Sequence, residues 1–295
     1  MKLAELVLAG VSVGSMYALV AIGFVVIYKA SGILNFAHGS LVVLGAAIVS
    51  FTHDAVGFFP AVVLALVGTA ALALFVELVI IRRIRSTSVE VLTIATIGID
   101  VLLFTALTGA LGADLRSLGH PWAGQVVTVA GIGITVNRLI GLIVAGLIII
   151  AFLLAFRRTG WGLRMRASAE DPETAALLGV RLNRVGSGAW IVAGLLACVA
   201  GVFLTGAPTP GLSPALATVA FVAFPAAIIG GVTSVHGALV GGLIVGLAES
   251  LATGYQDQLG FLGRGFGTVV PFLVLLVVLM WRPEGLFGEK DQARV

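Results

Sequence analysis

Runs of about 20 apolar residues recur along this 295-residue chain, and they constrain its fold more than any other feature. The chain is 59% hydrophobic and only 11% charged, whereas soluble domains are about 45–50% apolar and about 25% charged. A soluble fold of this length cannot bury so much apolar surface. In lipid, backbone groups must be satisfied internally, and runs of this length are typical of helices rather than barrel strands. The sequence therefore predicts an all-α, polytopic membrane protein.

The apolar runs predict a bundle of about eight or nine transmembrane helices, with residues 1–295 forming a single transmembrane domain. The segments 36–51 and 214–231 are short and lie beside glycine or proline, so we expect them to be broken or re-entrant. The predicted segments are 4–28, 36–51, 57–81, 91–112, 136–156, 187–206, 214–231, 235–252 and 266–281.

The placement of Lys and Arg predicts the orientation, because cytoplasmic connections of membrane proteins are rich in basic residues. If the segments alternate in direction, 13 of the 17 basic residues lie on one side. These are Lys29, Arg82, Arg83, Arg85, Arg157, Arg158, Arg164, Arg166, Arg181, Arg184, Arg282, Lys290 and Arg294. The predicted cytoplasmic face therefore carries the connection 157–186 and the C-terminus. The connection 113–135 is predicted to lie outside and is long enough for a small surface structure.

Several classes of function are disfavoured by composition and motif content. A formal net charge of +3 is too small to indicate a nucleic-acid partner. Cys198 is the only cysteine, so the chain offers no disulfide framework and no cysteine-based metal cluster. The sequence contains no Gly-Lys pair and hence no phosphate-binding loop of the usual form. If ATP drives this protein, another polypeptide must supply the nucleotide site.

Glycine pairs at i, i+4 spacing favour close helix–helix contacts in lipid. The pairs are Gly10 with Gly14, Gly237 with Gly241, and Gly242 with Gly246. We favour packing within one bundle over a dimer seam.

The stretch Asn35-Phe36-Ala37-His38-Gly39 is a polar, glycine-containing interruption between two apolar segments. Asn35 and His38 either line a translocation path or cap and pin the broken helix, and the sequence does not distinguish these roles. The pentapeptide that begins at His38 resembles the one that begins at His236, and transporters often contain repeats with sites at broken helices. His236 is therefore a further candidate for the path.

Two carboxylates lie within predicted spans. Asp100 is near the middle of segment 91–112, where an ionised group costs at least about 2.5–3.5 kcal/mol. It either lines the path or makes a helix–helix hydrogen bond, and we favour the second. Glu249 lies near the outer end of its segment and is expected to reach the membrane interface. Glu77 is expected to pair with a nearby arginine.

The basic connection 157–186 contains a capped short helix. Asp171 is a suitable N-cap, Pro172 suits the first helical position, Glu173 complements the helix dipole, and Gly179 fits a left-handed stop. The predicted helix of about seven residues is marginal alone in water. We therefore expect it to rest on a partner.

Motifs distributed from residue 14 to residue 286 resemble the permeases of branched-chain amino acid ABC importers, and the Asn-Phe-Ala-His-Gly form is more similar to their LivH type than to their LivM type. The coupling loop matches through Arg166, Ala169, Asp171, Glu173, Ala175 and Gly179, although the longer hydrophobic-x-Leu-Pro ending of other importers is missing after Gly179. The remaining matches are Gly14-Ser15-x-Tyr17-Ala18-Leu19, Gly230-Gly231, Gly237-Ala238-x-x-Gly241-Gly242 and Arg282-Pro283-x-Gly285-Leu286.

The resemblance implies a permease subunit in a bacterial-type inner membrane, with no catalytic residue, cofactor or metal of its own. It implies two ABC ATPase subunits, a second permease subunit (LivM-like or a second copy) and an extracytoplasmic substrate-binding protein as partners. Related permeases carry urea or short amides, so the substrate alternatives stay open. An ion-coupled secondary transporter that uses Asp100 and Glu249, or a passive channel, remains a rival interpretation.

Overall fold

The structure is a computed structural model that describes residues 2–84, 88–129, 132–206, 211–258 and 265–288. Its elements are α1 (Lys2–Ser31), α2 (His38–Val56), α3 (Phe58–Phe75), a π-helical turn (Val76–Ile81), α4 (Arg82–Ile84), α5 (Val89–Leu111), β1 (Val126–Val129), β2 (Ile132–Thr135), α6 (Val136–Arg158), α7 (Gly160–Glu170), α8 (Pro172–Leu177), α9 (Leu182–Leu204), a 3-10 turn (Pro214–Thr218), α10 (Val219–Gly230), α11 (Val235–Gly254) and α12 (Phe266–Trp281).

The predicted all-α membrane fold is confirmed. Within the described ranges, seven helices are long and apolar enough to cross a membrane, and two shorter apolar helices occupy 214–230 and 266–281. The segment predicted at 36–51 is not short, because α2 continues to Val56 and is itself a candidate span. The segment predicted at 214–231 is interrupted as expected, since a 3-10 turn precedes the 12-residue α10.

Helix α1 forms the centre of the bundle, and 89% of its most apolar window is buried inside the protein. It contacts α11 through two of the predicted glycine pairs, Gly10 with Gly14 and Gly242 with Gly246, while Gly237 and Gly241 pack against α10. A Cβ atom at Gly14 would lie 2.9 Å from the carbonyl oxygen of Gly242, and one at Gly246 would lie 2.3 Å from the Cα of Gly14. The two helices can approach this closely only without side chains at these positions. The preference for packing within the bundle is confirmed.

The outer helices expose apolar side chains around the bundle. Val63 of α3, Leu102 of α5, Leu147 of α6 and Met280 of α12 are examples, with exposures of 58% or more. A lipid bilayer covers such side chains without the cost that water would impose. The exposed apolar surface therefore agrees with a multi-pass membrane protein.

One end of the bundle gathers the connections predicted to be cytoplasmic. The Lys29 ammonium donates to the Thr233 carbonyl at 2.7 Å, and Arg157 lies 3.0 Å from His236. A cavity at this end is lined by residues that include Lys29, Arg166 and Leu182. These contacts confirm that the basic connections share one end. Of the basic residues predicted at this end, Arg85, Lys290 and Arg294 lie outside the described residues.

The opposite end carries the connection 113–135, which contains the expected small surface structure. Strands β1 and β2 form an antiparallel hairpin, with Val127 paired to Ile134. The Ser50 hydroxyl donates to the Ser117 carbonyl at 2.9 Å, and the Trp122 indole donates to Asn137 at 2.9 Å. The loop is therefore attached to the ends of α2 and α6.

The segment that follows α12 returns to the bundle and pairs with the end of α10. The backbone N–H groups of Leu286 and Phe287 donate to the carbonyls of Ile229 and Gly230 at 2.8 and 3.0 Å. Gly285 has a φ of +82°, and a Cβ atom there would lie 2.5 Å from the Ile228 carbonyl oxygen. These contacts explain why the Arg-Pro-x-Gly-Leu motif and the Gly230-Gly231 pair occur together: each supplies the backbone partner of the other.

Candidate functional site

The connection between α1 and α2 is a break in which several backbone groups find hydrogen-bond partners inside the bundle. Asn35 is fully buried, and its side-chain oxygen accepts a hydrogen bond from the Ala37 N–H at 3.1 Å. The Phe36 N–H donates to the Thr96 hydroxyl, which in turn donates to the Leu34 carbonyl; both distances are 3.1 Å. Asn35 therefore holds the start of α2, and Thr96 of α5 holds the break from the side.

His38 begins α2 as a fully buried imidazole. A Cβ atom at Gly23 of α1 would lie 2.5 Å from the imidazole Nε2, so this glycine creates the space for the ring. The ring of Phe24 lies 4.9 Å from the imidazole. The Val20 carbonyl lies close to the ring, but neither ring nitrogen reaches hydrogen-bond geometry with another described residue.

Asp100 reaches the same break from α5. The Ser40 hydroxyl donates to the Asp100 carboxylate at 2.6 Å, which is a helix–helix hydrogen bond of the kind predicted from the sequence. The rings of Phe24 and Phe36 each lie 5.7 Å from Phe224 of α10. We name Asn35, His38, Ser40 and Asp100 the break cluster. The place of Asn35, His38 and Asp100 in a translocation path stays a prediction.

His236 lies away from the break cluster, in a different environment. It is the second residue of α11, it is exposed, and its Nε2 is 3.0 Å from Arg157. The similar pentapeptides that begin at His38 and His236 therefore both lie at helix starts, but the first histidine is buried and the second is exposed. Ser234, which accepts a hydrogen bond from the Gly237 N–H, is the cap at this second helix start.

The connection 157–186 contains two helices, α7 and α8, of which α8 is the predicted capped helix. The Asp171 carboxylate accepts hydrogen bonds from the Glu173 and Thr174 N–H groups, both at 3.1 Å. Pro172 occupies the first turn. Both features confirm the predicted start.

The end of α8 is also as predicted. Gly179 has a φ of +85°, its N–H donates to the Ala176 carbonyl, and the Val180 N–H donates to the Ala175 carbonyl at 3.0 Å. This pair of hydrogen bonds is the Schellman arrangement, in which a left-handed residue ends the helix. The helix is therefore capped at both ends by its own residues.

The side chains of α8 divide into an anchored group and an exposed tip. Ala175 is buried, whereas Leu177 and Leu178 are 88% and 80% exposed. The Arg166 guanidinium of α7 donates to the Phe156 carbonyl and lies over the Phe156 ring, so it fixes α7 to the end of α6. Ala169 is exposed on the last turn of α7. We name Leu177 and Leu178 the leucine tip.

Glu77 was expected to pair with an arginine, and it does. Arg82 lies 2.9 Å from the Glu77 carboxylate. The Ser187 hydroxyl of α9 donates to the same carboxylate at 3.0 Å and accepts from Arg82 at 2.8 Å. The contribution of Ser187 was not predicted. Its only sequence signal is a hydroxyl at the start of an apolar segment, which is too common to be informative.

The fold and these sites define a class: a polytopic helical membrane protein that presents a small, self-capped helix at one end of its bundle. A family-wide sequence profile described as the permease component of branched-chain amino acid transport systems matches residues 6–279. The chain belongs to this permease family.

Individual members of this family are similar to the chain over nearly its full length. The Escherichia coli (strain K12) high-affinity branched-chain amino acid transport system permease protein LivH is 33% identical, covering 97% of this chain and 96% of that protein. The Pseudomonas aeruginosa permease protein BraD is 30% identical, with coverages of 97% and 96%. A probable LivH permease of Methanocaldococcus jannaschii is 30% identical, with coverages of 96% and 92%.

Proposed function

We propose that this chain is a permease subunit of an ATP-driven importer that moves branched-chain or other hydrophobic amino acids across the inner membrane. The observation that carries the proposal is the leucine tip on α8. Two adjacent leucines exposed by 80% or more are costly in water. The helix is also too short to be stable alone. A hydrophobic groove on another subunit would cover the two leucines and support the short helix.

The proposed partner at the leucine tip is an ABC ATPase, two copies of which would serve a pair of permease subunits. The chain contains no phosphate-binding loop, so the nucleotide site has to come from that partner. The second permease subunit is a LivM-like chain or a second copy of this one. Closure of the ATPase pair would move α8, and α7 would transmit the movement to α6 through Arg166.

The proposed orientation places the basic end and the C-terminus in the cytoplasm, with the connection 113–135 outside, where a substrate-binding protein would dock. Cysteine labelling tests this directly. A cysteine at Ser117 should react with a membrane-impermeant maleimide added to intact cells or right-side-out vesicles. A cysteine at Glu173, which is exposed on α8, should react only in inside-out vesicles. The reverse pattern would overturn the orientation.

The leucine tip is tested by changing Leu177 and Leu178 together to Ser. We expect the reconstituted importer to lose most of its ATP-driven amino-acid uptake, while the thermal stability of the permease alone stays unchanged because these side chains contact little within the chain. The matched control is Leu102→Ser with Leu147→Ser, at exposed positions of the lipid-facing surface. Full uptake with normal ATPase association in the tip variant would refute the docking assignment.

The energy source separates this proposal from the ion-coupled rival. Uptake into proteoliposomes should require ATP on the side of the membrane that carries the ATPase subunits. It should persist when a protonophore removes the proton gradient. Uptake that follows the gradient and ignores ATP would favour the secondary transporter instead.

A further inference from the structure

A cavity of about 560 Å³ opens at the end of the bundle that carries the connection 113–135. It lies between α1, α11, the start of α6 and the segment that contains the 3-10 turn and α10. Its volume falls within the roughly 300–1,000 Å³ that is typical of small-molecule sites. Its apolar wall includes Val13, Leu204, Val219 and Val222.

One acidic group faces this cavity without a complete set of partners. Glu249 of α11 lines the cavity, and its Oε2 atom is buried with no hydrogen-bond partner among the described residues. The Tyr17 hydroxyl of α1 lies within hydrogen-bonding reach of the carboxylate. A carboxylate that faces an apolar cavity favours a positively charged ligand group, because an unpaired buried charge is costly.

One basic group faces the same cavity. Arg138, in the first turn of α6, lines the cavity, and its Nε atom is buried without a hydrogen-bond partner. It does not form an ion pair with Glu249; the described part of the chain has its ion pairs at Glu77–Arg82 and His53–Asp54. Guanidinium groups bind carboxylates in a planar, often bidentate geometry. Arg138 therefore favours a carboxylate ligand.

We propose that this cavity binds a zwitterionic amino acid with an aliphatic side chain, whose ammonium group meets Glu249 and whose carboxylate meets Arg138. The apolar wall accommodates the side chain. The identity of the ligand rests on the proposed function, whereas the pairing of charges rests on the cavity alone. The exposed Glu5 at the rim adds a second acidic group near the entrance. The site would receive substrate before it passes along the bundle.

The test uses the assembled importer in nanodiscs of phosphatidylglycerol, without a binding protein and without ATP. Binding of L-leucine is compared with that of two analogues, 4-methylpentanoate, which lacks the ammonium group, and 3-methylbutylamine, which lacks the carboxylate. The wild-type protein should prefer leucine over each analogue by about tenfold or more, as expected for charge-assisted hydrogen bonds.

Each variant should erase one preference only. Glu249→Gln should bind leucine no better than 4-methylpentanoate, while it still discriminates against 3-methylbutylamine. Arg138→Gln should show the opposite pattern. Glu249→Asp keeps the charge and should keep both preferences at reduced affinity, which protects the test if the glutamine variant folds poorly. The matched controls are Glu90→Gln and Arg83→Gln, at exposed positions outside the cavity.

Four results would overturn this inference. Leucine binding that does not saturate, or variants that lose all three ligands equally, would show that the two charges do not select separate groups. A third is a site that responds to added phosphatidylethanolamine rather than to leucine, because that headgroup also carries an ammonium and an acidic group. The last is a Tyr17→Phe variant, with Glu249 unchanged, that also loses the preference for leucine over 4-methylpentanoate. It would assign recognition of the ammonium group to Tyr17.

The inference and the proposed function fail in distinguishable ways. ATP-driven leucine uptake without charge-selective binding in nanodiscs would reject the cavity and leave the importer assignment intact. Charge-selective binding without ATP-driven uptake would reject the importer assignment and keep the binding site.

Discussion

The break cluster and α8 were both singled out by short motifs, and the structure shows that they are built in opposite ways. In the break, Asn35, His38 and Thr96 are fully buried. The Ala37 N–H donates to Asn35 of the break itself, and the Phe36 N–H donates to Thr96 of the neighbouring helix α5. In α8, the caps come from the same short segment, and the leucine tip extends into the surroundings. The first region is held by the bundle, while the second presents two leucine side chains outside it. A motif with polar and glycine residues therefore does not by itself reveal which role it has.

The largest expected effect follows from a substitution at Gly179. Valine disfavours the left-handed conformation that this residue adopts at a φ of +85°. Gly179→Val should displace the leucine tip and reduce ATP-driven uptake at least tenfold, with membrane insertion and bundle stability retained. Uptake and ATP hydrolysis in proteoliposomes measure the effect.

Gly124 supplies the matched control for this prediction. It has a φ of +74° and open space around the position of a Cβ atom, as Gly179 does, but it lies in the external connection. Gly124→Val imposes a comparable backbone strain and should leave the coupling of ATP hydrolysis to uptake unchanged. Equal losses in both variants would mean that strain, rather than the position of α8, decides the outcome.

The second prediction concerns the packing of the break. A Cβ atom at Gly23 would lie 2.5 Å from the His38 Nε2, and the ring is fully buried. Gly23→Ala should therefore destabilise the purified permease by about 1–3 kcal/mol, the usual cost of overpacking. His38→Ala in the same chain should recover part of this loss. Thermal unfolding of the two single variants and the double variant measures the coupling.

Additive effects in that cycle would show that the ring and the glycine do not meet. His38→Ala alone also separates the two roles left open for this histidine. Reduced uptake per folded complex supports lining of the path, whereas reduced stability with intact uptake supports a role in pinning the break.

Much of the fold followed from the sequence because lipid imposes simple rules. Each of the nine predicted apolar segments overlaps a helix of the structure, and the cap at Asp171 and the stop at Gly179 were predicted correctly because they depend on local residues. The length of α2 was underestimated because Thr52, His53 and Asp54 end the apolar run, although they continue the helix. Local polarity indicates where lipid exposure ends, not where a helix ends.

The cavity could not be predicted, because it depends on helices distant in sequence. Glu249, which was expected near the membrane interface, lines a cavity that also contains Arg138, more than 100 positions earlier in the chain. The useful signal was present in the sequence as an acidic residue among glycines of an apolar helix. The sequence does not reveal how α1, α6 and α11 pack together, and this packing brings Glu249 and Arg138 to the same cavity.

The third prediction concerns the external connection 113–135. Like the break, and unlike α8, it holds a histidine that packs against aromatic rings of the protein. His120 packs against the rings of Phe58 and Trp122. Burial, and then the nearby His53, lower the pKa of His120 from its usual 6.5 to about 4. The folded state thus favours the neutral ring, and the stability that this contributes is complete above pH 6.5 and is lost as the pH falls towards 4.

Allowing for the partial exposure of His120, we expect a loss of about 1–2 kcal/mol between pH 7 and pH 4.5. Thermal unfolding at these two pH values should show a smaller difference for His120→Gln than for the wild type. His236→Gln serves as the control: the His236 ring contacts Arg157 but is exposed, so this variant should remove much less of the difference than His120→Gln does. An unchanged pH dependence in His120→Gln would indicate that the ring protonates without opposing the fold.

The smallest effect is expected from removal of the exposed cap. Asp171→Ala deletes the carboxylate that accepts hydrogen bonds from the Glu173 and Thr174 N–H groups, and loss of such a cap costs about 1 kcal/mol. Because α8 contacts little of the bundle, this cost should appear as roughly fivefold faster amide exchange within α8 in the permease alone. The melting temperature should stay the same.

Asn35→Ala is the contrasting variant: it leaves the Ala37 N–H buried without an acceptor, so its cost should lower the melting temperature of the whole bundle. If Asp171→Ala lowered the melting temperature as much as Asn35→Ala, α8 would belong to the same cooperative unit as the break, and the distinction between a region held by the bundle and a region that awaits a partner would fail.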